Sequence, residues 1–194
     1  RDQVPLASAA EVDGVVKIAA DAFADWRRTS LGRRAEILFK ARAIFDERRD
    51  ELAGIISAEH GKVPADALGE IARGLENVEF ACGIPHLLKG GFSEGVSTKV
   101  DSYSIRQPLG VVGIISPFNF PINLAAHKIA AALAVGCPFV LKPASRTPIG
   151  ALILGEILAE TDLPAGAFSV LPCSRDGADL FTTDERLKLL SFTG

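Results

Sequence analysis

The sequence predicts an α/β protein in which amphipathic helices precede a parallel, Rossmann-like sheet with helices on both faces. Three observations carry that prediction. The first 90 residues keep apolar side chains at helical spacing, and the period changes after Gly90-Gly91. Beyond that point short β-branched runs begin at Val111, Phe139 and Phe168, steps of 28 and 29 residues, each the length of a βαβ unit. Near-continuous apolar strands alternating with helices imply a parallel sheet covered on both sides. A chain of 194 residues that is 48% hydrophobic can bury such a core without a disulfide or metal, and wholesale disorder is excluded.

The elements follow in order. Ser8 and Glu11 form a capping box for a first helix whose inward face is read as Val15, Ile18, Ala19, Ala22, Phe23 and Trp26. A second helix follows Ser30, keeps its stripe from Ile37 and Leu38 through Phe45, Leu52 and Ile56, and stops at Gly61. Pro64 opens a third, striped by Leu68, Ile71, Leu75, Val78 and Cys82, which Pro85 ends or kinks. The charges opposite these stripes, Arg33, Arg34, Glu47, Arg48, Arg49 and Glu51, read as a solvated face. Residues 98–107 alternate polar and apolar, which predicts a partly exposed antiparallel strand with Val100, Tyr103 and Ile105 available for burial. Strands are then expected at 111–115, 139–141, 168–171 and 187–192. Helices between them are expected at 121–135, at 148–160 (capped by Thr147) and at 176–182.

Charge and composition narrow the partners. With 21 basic and 24 acidic residues the net charge is −3, and no extended basic tract exists, which argues against nucleic acid and against an anionic membrane. No apolar run approaches the length of a membrane span. Cys82, Cys137 and Cys173 have no CxxC spacing and read as reduced thiols of a cytoplasmic protein. His60, His86 and His127 lack zinc-ligand spacing, so no metal is expected. There is no methionine and the row opens with Arg1, so the initiator is expected to lie elsewhere.

An open parallel sheet binds ligands outside the carboxyl ends of its strands, which here means residues 116–120, 142–146 and 172–176. The fingerprint G-x-G-x-x-G is missing, so the standard dinucleotide turn does not apply. Asn119 follows the first parallel strand. Its carboxamide could donate to an oxyanion without carrying charge, or it could cap the following helix. Lys142, after the second strand, could reach a nucleotide's hydroxyls or phosphates, or simply be solvated.

Taken in order, SPFNFP at 116–121, Lys128, LKPAS at 141–145, DLPAGAFSVLP at 162–172 and the final SFTG resemble the aldehyde dehydrogenase superfamily. The resemblance covers 1–194 as the amino-terminal part of an NAD(P)-binding domain. It implies oxidation of a small-molecule aldehyde, through a cysteine thiohemiacetal, with NAD or NADP as hydride acceptor. By that resemblance Asn119 matches the oxyanion-hole asparagine and Lys128 a lysine near the proton-relay path. Ser116, Phe118, Lys142, Ser145 and Gly194 fall at cofactor-binding positions, Lys142 being the lysine that holds the adenosine ribose. Phe118 stands where tryptophan is common, and Cys173 where glycine is usual. Ser145 replaces a glutamate found in many NAD-preferring members, so the repulsion of a 2′-phosphate is removed and NADP should be tolerated. The family's cofactor turn would begin at Gly194, which puts the nucleophilic cysteine and the general-base glutamate beyond it. Residues 98–107 resemble a projecting strand of an oligomerisation arm, which implies a homo-oligomer, dimer or tetramer. The competing readings are a non-catalytic nucleotide-binding or interaction module, and an acylating or acyl-phosphate-reducing member of the superfamily.

Overall fold

The computed structural model describes residues 4–194. Four helices lead the chain: α1 (Ala9–Trp26), α2 (Leu31–Glu47), α3 (Arg49–His60) and α4 (Pro64–Cys82), closed by a 3₁₀ turn at Ile84–His86. An antiparallel hairpin follows, β1 (Phe92–Ser97) and β2 (Val100–Tyr103). The alternating region then runs β3 (Val111–Ile115), α5 (Asn123–Ala134), β4 (Phe139–Lys142), α6 (Ile149–Ala159), β5 (Phe168–Val170), α7 (Arg175–Thr183) and β6 (Leu187–Phe192).

The sheet is parallel throughout, in the order β5-β4-β3-β6. Its register sets Val112 beside Phe139, Phe139 beside Phe168, and Ile115 beside both Lys142 and Phe192. Alternation along each strand then divides the core. Val112, Ile114, Phe139 and Leu141 pack under α5, α6 and the leading helices, with Ile122, Leu133 and Leu154. Val111 and Val140 point the other way, against Val12 and Val16 of α1 and Phe181 of α7. After β5 the chain changes face and returns to the far side of β3. The strand order therefore reverses between β3 and β6, the kind of point at which an open parallel sheet takes its ligand.

Several expectations need correcting. The buried face of α1 is Val12, Val16, Ala19 and Trp26, and Ile18 is 54% exposed. The helix sits on Val111 and Val140, which select the residues at that phase. Leu68 of α4 is likewise exposed. The long second helix is two helices, broken at Arg48 (φ −93, ψ 10). The break falls in the all-charged stretch 46–51, where no apolar side chain holds the axis straight. Arg48 instead reaches Glu51 at 2.8 Å and Glu156 of α6 at 3.2 Å. Arg34 is not on a solvated face. It is buried beside Trp26 and donates to the carbonyls of Arg27 and Ala134, the latter at the carboxyl end of α5, where a cation is favourable.

The strand expected over 98–107 is confined to Val100–Tyr103 and pairs backwards with β1 through a turn at Lys99, whose φ is 61. Every residue of the hairpin is exposed, so Val100 and Tyr103 find no burial within this chain. Thr147 does not cap α6; its hydroxyl donates to the Phe118 carbonyl at 3.3 Å. The amino end of α6 is capped from another element, by the Glu59 carboxylate of α3, which accepts from the amides of Ile149 and Gly150 at 3.1 and 3.3 Å.

That long-range cap carries a pH signature. Burial raises the pKa of Glu59 above the usual carboxylate value, against the two amides that lower it. The folded state then holds its proton more tightly than the unfolded chain, so this group's contribution to stability falls as pH rises from the ordinary pKa through the raised one. Glu59→Gln removes that dependence. Denaturant unfolding between roughly pH 4 and pH 8 should show the wild type losing stability relative to the variant as pH climbs. Parallel profiles would contradict it.

Candidate active site

Three loops leave the carboxyl ends of β3, β4 and β5, and the first is held most firmly. Gly61 ends α3 in a left-handed conformation, φ 86, and the chain turns there to deliver Lys62. The Lys62 ammonium donates to the Glu70 carboxylate at 2.6 Å and to the Asn119 carbonyl at 2.8 Å, and lies 3.9 Å from the Phe120 ring centroid. Glu70 sits on the inward face of α4, its side chain 0% exposed and that of Lys62 only 13%. Its other oxygen accepts the amides of Ile122 and Asn123 at 2.9 and 3.1 Å, the free donors at the start of α5. Gly74, one turn along α4, makes room for the Phe45 ring, which a methyl there would meet at 3.1 Å.

These bonds leave Asn119 without the capping role. Glu70 caps α5, and no side-chain bond from Asn119 to that helix exists among the described residues. The carbonyls around it are engaged: those of Phe118, Asn119 and Phe120 accept from Thr147, Lys62 and Leu124 in turn. Asn119 therefore presents an exposed carboxamide on a fixed backbone. Phe118 beside it stacks on His60, ring centroids 6.0 Å apart, and lies 5.8 Å from the Arg146 guanidinium. Ser116 is buried, and its hydroxyl has no partner among the described residues.

The neighbouring loops bring Lys142 and Ser145 to the same end of the sheet, the first half-buried and the second exposed. Lys142 has only a long 3.5 Å contact, to the Pro143 carbonyl. Across 116–121, 142–147 and 171–176 the one acidic residue is Asp176, while Lys142, Arg146 and Arg175 supply positive charge. Gly194 follows β6 on the other side of β3, where the Thr193 amide donates to the Ile115 carbonyl at 3.1 Å. Ser116, Phe118, Asn119, Lys142, Ser145 and Gly194 thus share one end of the sheet.

Lys128 lies apart from that rim. It projects from the middle of α5 and donates to the Ser191 hydroxyl of β6 at 2.9 Å, and burial lowers its pKa. It lines a cavity of about 440 Å³ with His127, Gln107, Leu189 and Ser191, a wall that does not include Asn119. Cys82, Cys137 and Cys173 are all buried and unpaired. Burial raises the thiol pKa of Cys82 and of Cys173, so neither is poised as a nucleophile. No cluster able to hold a metal ion, and no helix long and apolar enough to cross a membrane, occurs among the described residues.

The sequence alone does not single out Lys62, Glu70 or Glu59, and it gives Thr147 a different role. One signal was available: Glu70 sits between Ala67, Ile71 and Gly74 on the buried stripe of α4, and a carboxylate there demands partners. Nothing in the local sequence says that those partners lie 52 and 53 residues away.

Comparison with known proteins agrees with the order of these loops. The sequence model of the aldehyde dehydrogenase family matches residues 2–194. The malonate-semialdehyde dehydrogenase of Bacillus velezensis is 38% identical over 192 residues, covering 99% of this chain and 39% of that protein. Aldehyde dehydrogenase 21 of Physcomitrella patens, solved with its reaction product succinate, superposes with a TM-score of 0.94 at 43% identity, over 98% of this chain and 41% of that one. A Sinorhizobium meliloti protein solved with NAD gives 0.94 at 41% identity, over 97% and 38%. The chain therefore spans about two fifths of the length of the relatives it matches.

The buried thiols give a direct check. In the native chain Cys82, Cys137 and Cys173 should react with an aromatic disulfide reagent near neutral pH only as fast as the protein unfolds, and all three should react in denaturant. Rapid labelling of one native thiol would contradict the structural role assigned to all three.

Proposed function

The chain belongs to the aldehyde dehydrogenase family, and on that premise we propose that it forms the cofactor-side region of an enzyme that oxidises an aldehyde to a carboxylic acid with NAD or NADP. The observation that carries the proposal is the Asn119 carboxamide: it has no partner among the described residues, on a loop whose carbonyls are each bonded, at the carboxyl end of β3 beside the point where strand order reverses. A neutral amide donor suits a carbonyl oxygen that gains negative charge, because it neither titrates nor needs to reorient as that charge develops.

The other site residues take their parts around it. The residues present fit a dinucleotide: the rim carries Lys142, Arg146 and Arg175 against the single carboxylate of Asp176, and the Ser116 hydroxyl is buried without a partner among the described residues. Lys142 and Ser145 would hold the adenosine ribose, with Ser116, Phe118 and Gly194 on the β3–β6 side. When bound, NAD or NADP supplies the hydride acceptor. Ser145 and Arg146 offer no carboxylate to repel a 2′-phosphate, so NADP is tolerated. Lys128, half-buried and bonded to Ser191, stands where a proton can be held or passed on along α5. The three thiols are buried, which supports a nucleophile from residues outside these 194, and by the family resemblance the general base comes from there too.

The names of the relatives, malonate-semialdehyde dehydrogenase among them, support a small aldehyde that also bears a carboxylate. The exposed hairpin, with Phe92 at 68% and Tyr103 at 75% exposure, supports association of copies into a homo-oligomer.

The test uses a polypeptide of family length that carries this region. Asn119→Ala should lower kcat by about 10²- to 10³-fold while NAD affinity stays within about twofold of wild type, and wild type should bind NADP as well as NAD. Undiminished aldehyde oxidation in Asn119→Ala would reject the oxyanion role, and exclusion of NADP would reject the role given to Ser145. Assay with and without coenzyme A separates hydrolysis of the acyl intermediate from its transfer.

A further inference from the structure

The Lys62–Glu70 pair holds more than the start of a helix. A carboxylate alone would suffice to cap α5, and Glu70 does so with one oxygen. Its second oxygen fixes Lys62, and Lys62 spends another donor on the carbonyl of Asn119 itself. Phe120, the next residue, covers the ammonium at 3.9 Å and leaves Lys62 little access to water. The loop is therefore gripped at both ends by one ion pair, at the carbonyl of 119 and at the amides of 122 and 123.

The direction of the Asn119 carboxamide depends on this grip. A short side chain, with two rotatable bonds, is aimed mainly by its backbone, and the Asn119 peptide has Lys62 as its side-chain anchor. We infer that Lys62 and Glu70 are positioning residues for Asn119: together they aim its carboxamide at the place where the oxyanion forms. This rests on the oxyanion role proposed for Asn119. Neither residue touches the reacting atoms. Losing the pair leaves the amide present but misdirected, and a displacement of about 1 Å at such a donor costs on the order of a hundredfold in rate.

A double-mutant cycle in the family-length enzyme tests it, with Lys62→Met, Asn119→Ala and the two combined. Lys62→Met should lower kcat roughly tenfold to a hundredfold with nucleotide affinity unchanged. In the Asn119→Ala background the same substitution should cost less than about threefold, because the donor it aims is gone. Glu70→Gln, which keeps an acceptor for the α5 amides but removes the charge that holds Lys62, runs through the same cycle and should give the same non-additivity. It also serves if Lys62→Met does not fold. Equal losses in both backgrounds would mark the pair as scaffold only and overturn the inference, as would an unchanged kcat in Lys62→Met. Full turnover in Asn119→Ala alone would instead remove the oxyanion reading on which it rests.

Discussion

A single carboxylate, Glu70, joins the helical layer to the sheet at the point where the chemistry is expected. Burying it is costly, because an ion taken out of water loses several kcal/mol of solvation. Four interactions offset that loss: two amides of α5, the ammonium of Lys62, and through Lys62 the carbonyl of Asn119. Breaking such a pair from one side typically costs about 3–5 kcal/mol, since the remaining charge is stranded. The fold accepts this expense where an apolar contact would pack as well but could not fix the direction of a peptide.

The same device recurs across the layer. Glu59 of α3 caps the amino end of α6, and Arg34 of α2 donates to the last carbonyls of α5. In each case a charge carried by a leading helix meets the end of a sheet-layer helix whose dipole attracts it. The four leading helices therefore do more than cover one face of the sheet. They set where α5 and α6 begin, and with them the loops after β3 and β4. Those loops keep Asn119, Lys142 and Ser145 at one end of the sheet, while α7, crossing to the opposite face, puts β6 beside β3.

Much of this was legible in the sequence, for identifiable reasons. Val111–Ile115 is legible because a buried parallel strand is a short β-branched run, Leu187–Phe192 because its run is apolar although most of it is exposed, and the Ser8–Glu11 box because its donors and acceptors lie three residues apart. The errors share one cause. Capping rules search within a turn, so Thr147 was assigned to α6 and Asn119 left as a candidate for α5, whereas the caps in place come from 90 and 52 residues away. The phase of α1 was misjudged because it is set by Val111 and Val140, and the extent of β2 because its partner lies before it in the chain. Shared position of the site residues followed from the strand-end rule. Their individual roles came from resemblance, since a lysine or an asparagine at a strand end has no signature of its own.

The central claim is that Glu70 holds the first turn of α5 and, with Lys62, the loop that carries Asn119. Amide hydrogen exchange at Ile122 and Asn123, compared between wild type and Glu70→Ala, tests it most directly. The account predicts slow exchange at both amides in the wild type and its selective loss in the variant, with Ile114 and Leu141 still protected. Equal protection of Ile122 and Asn123 in the two proteins would contradict it.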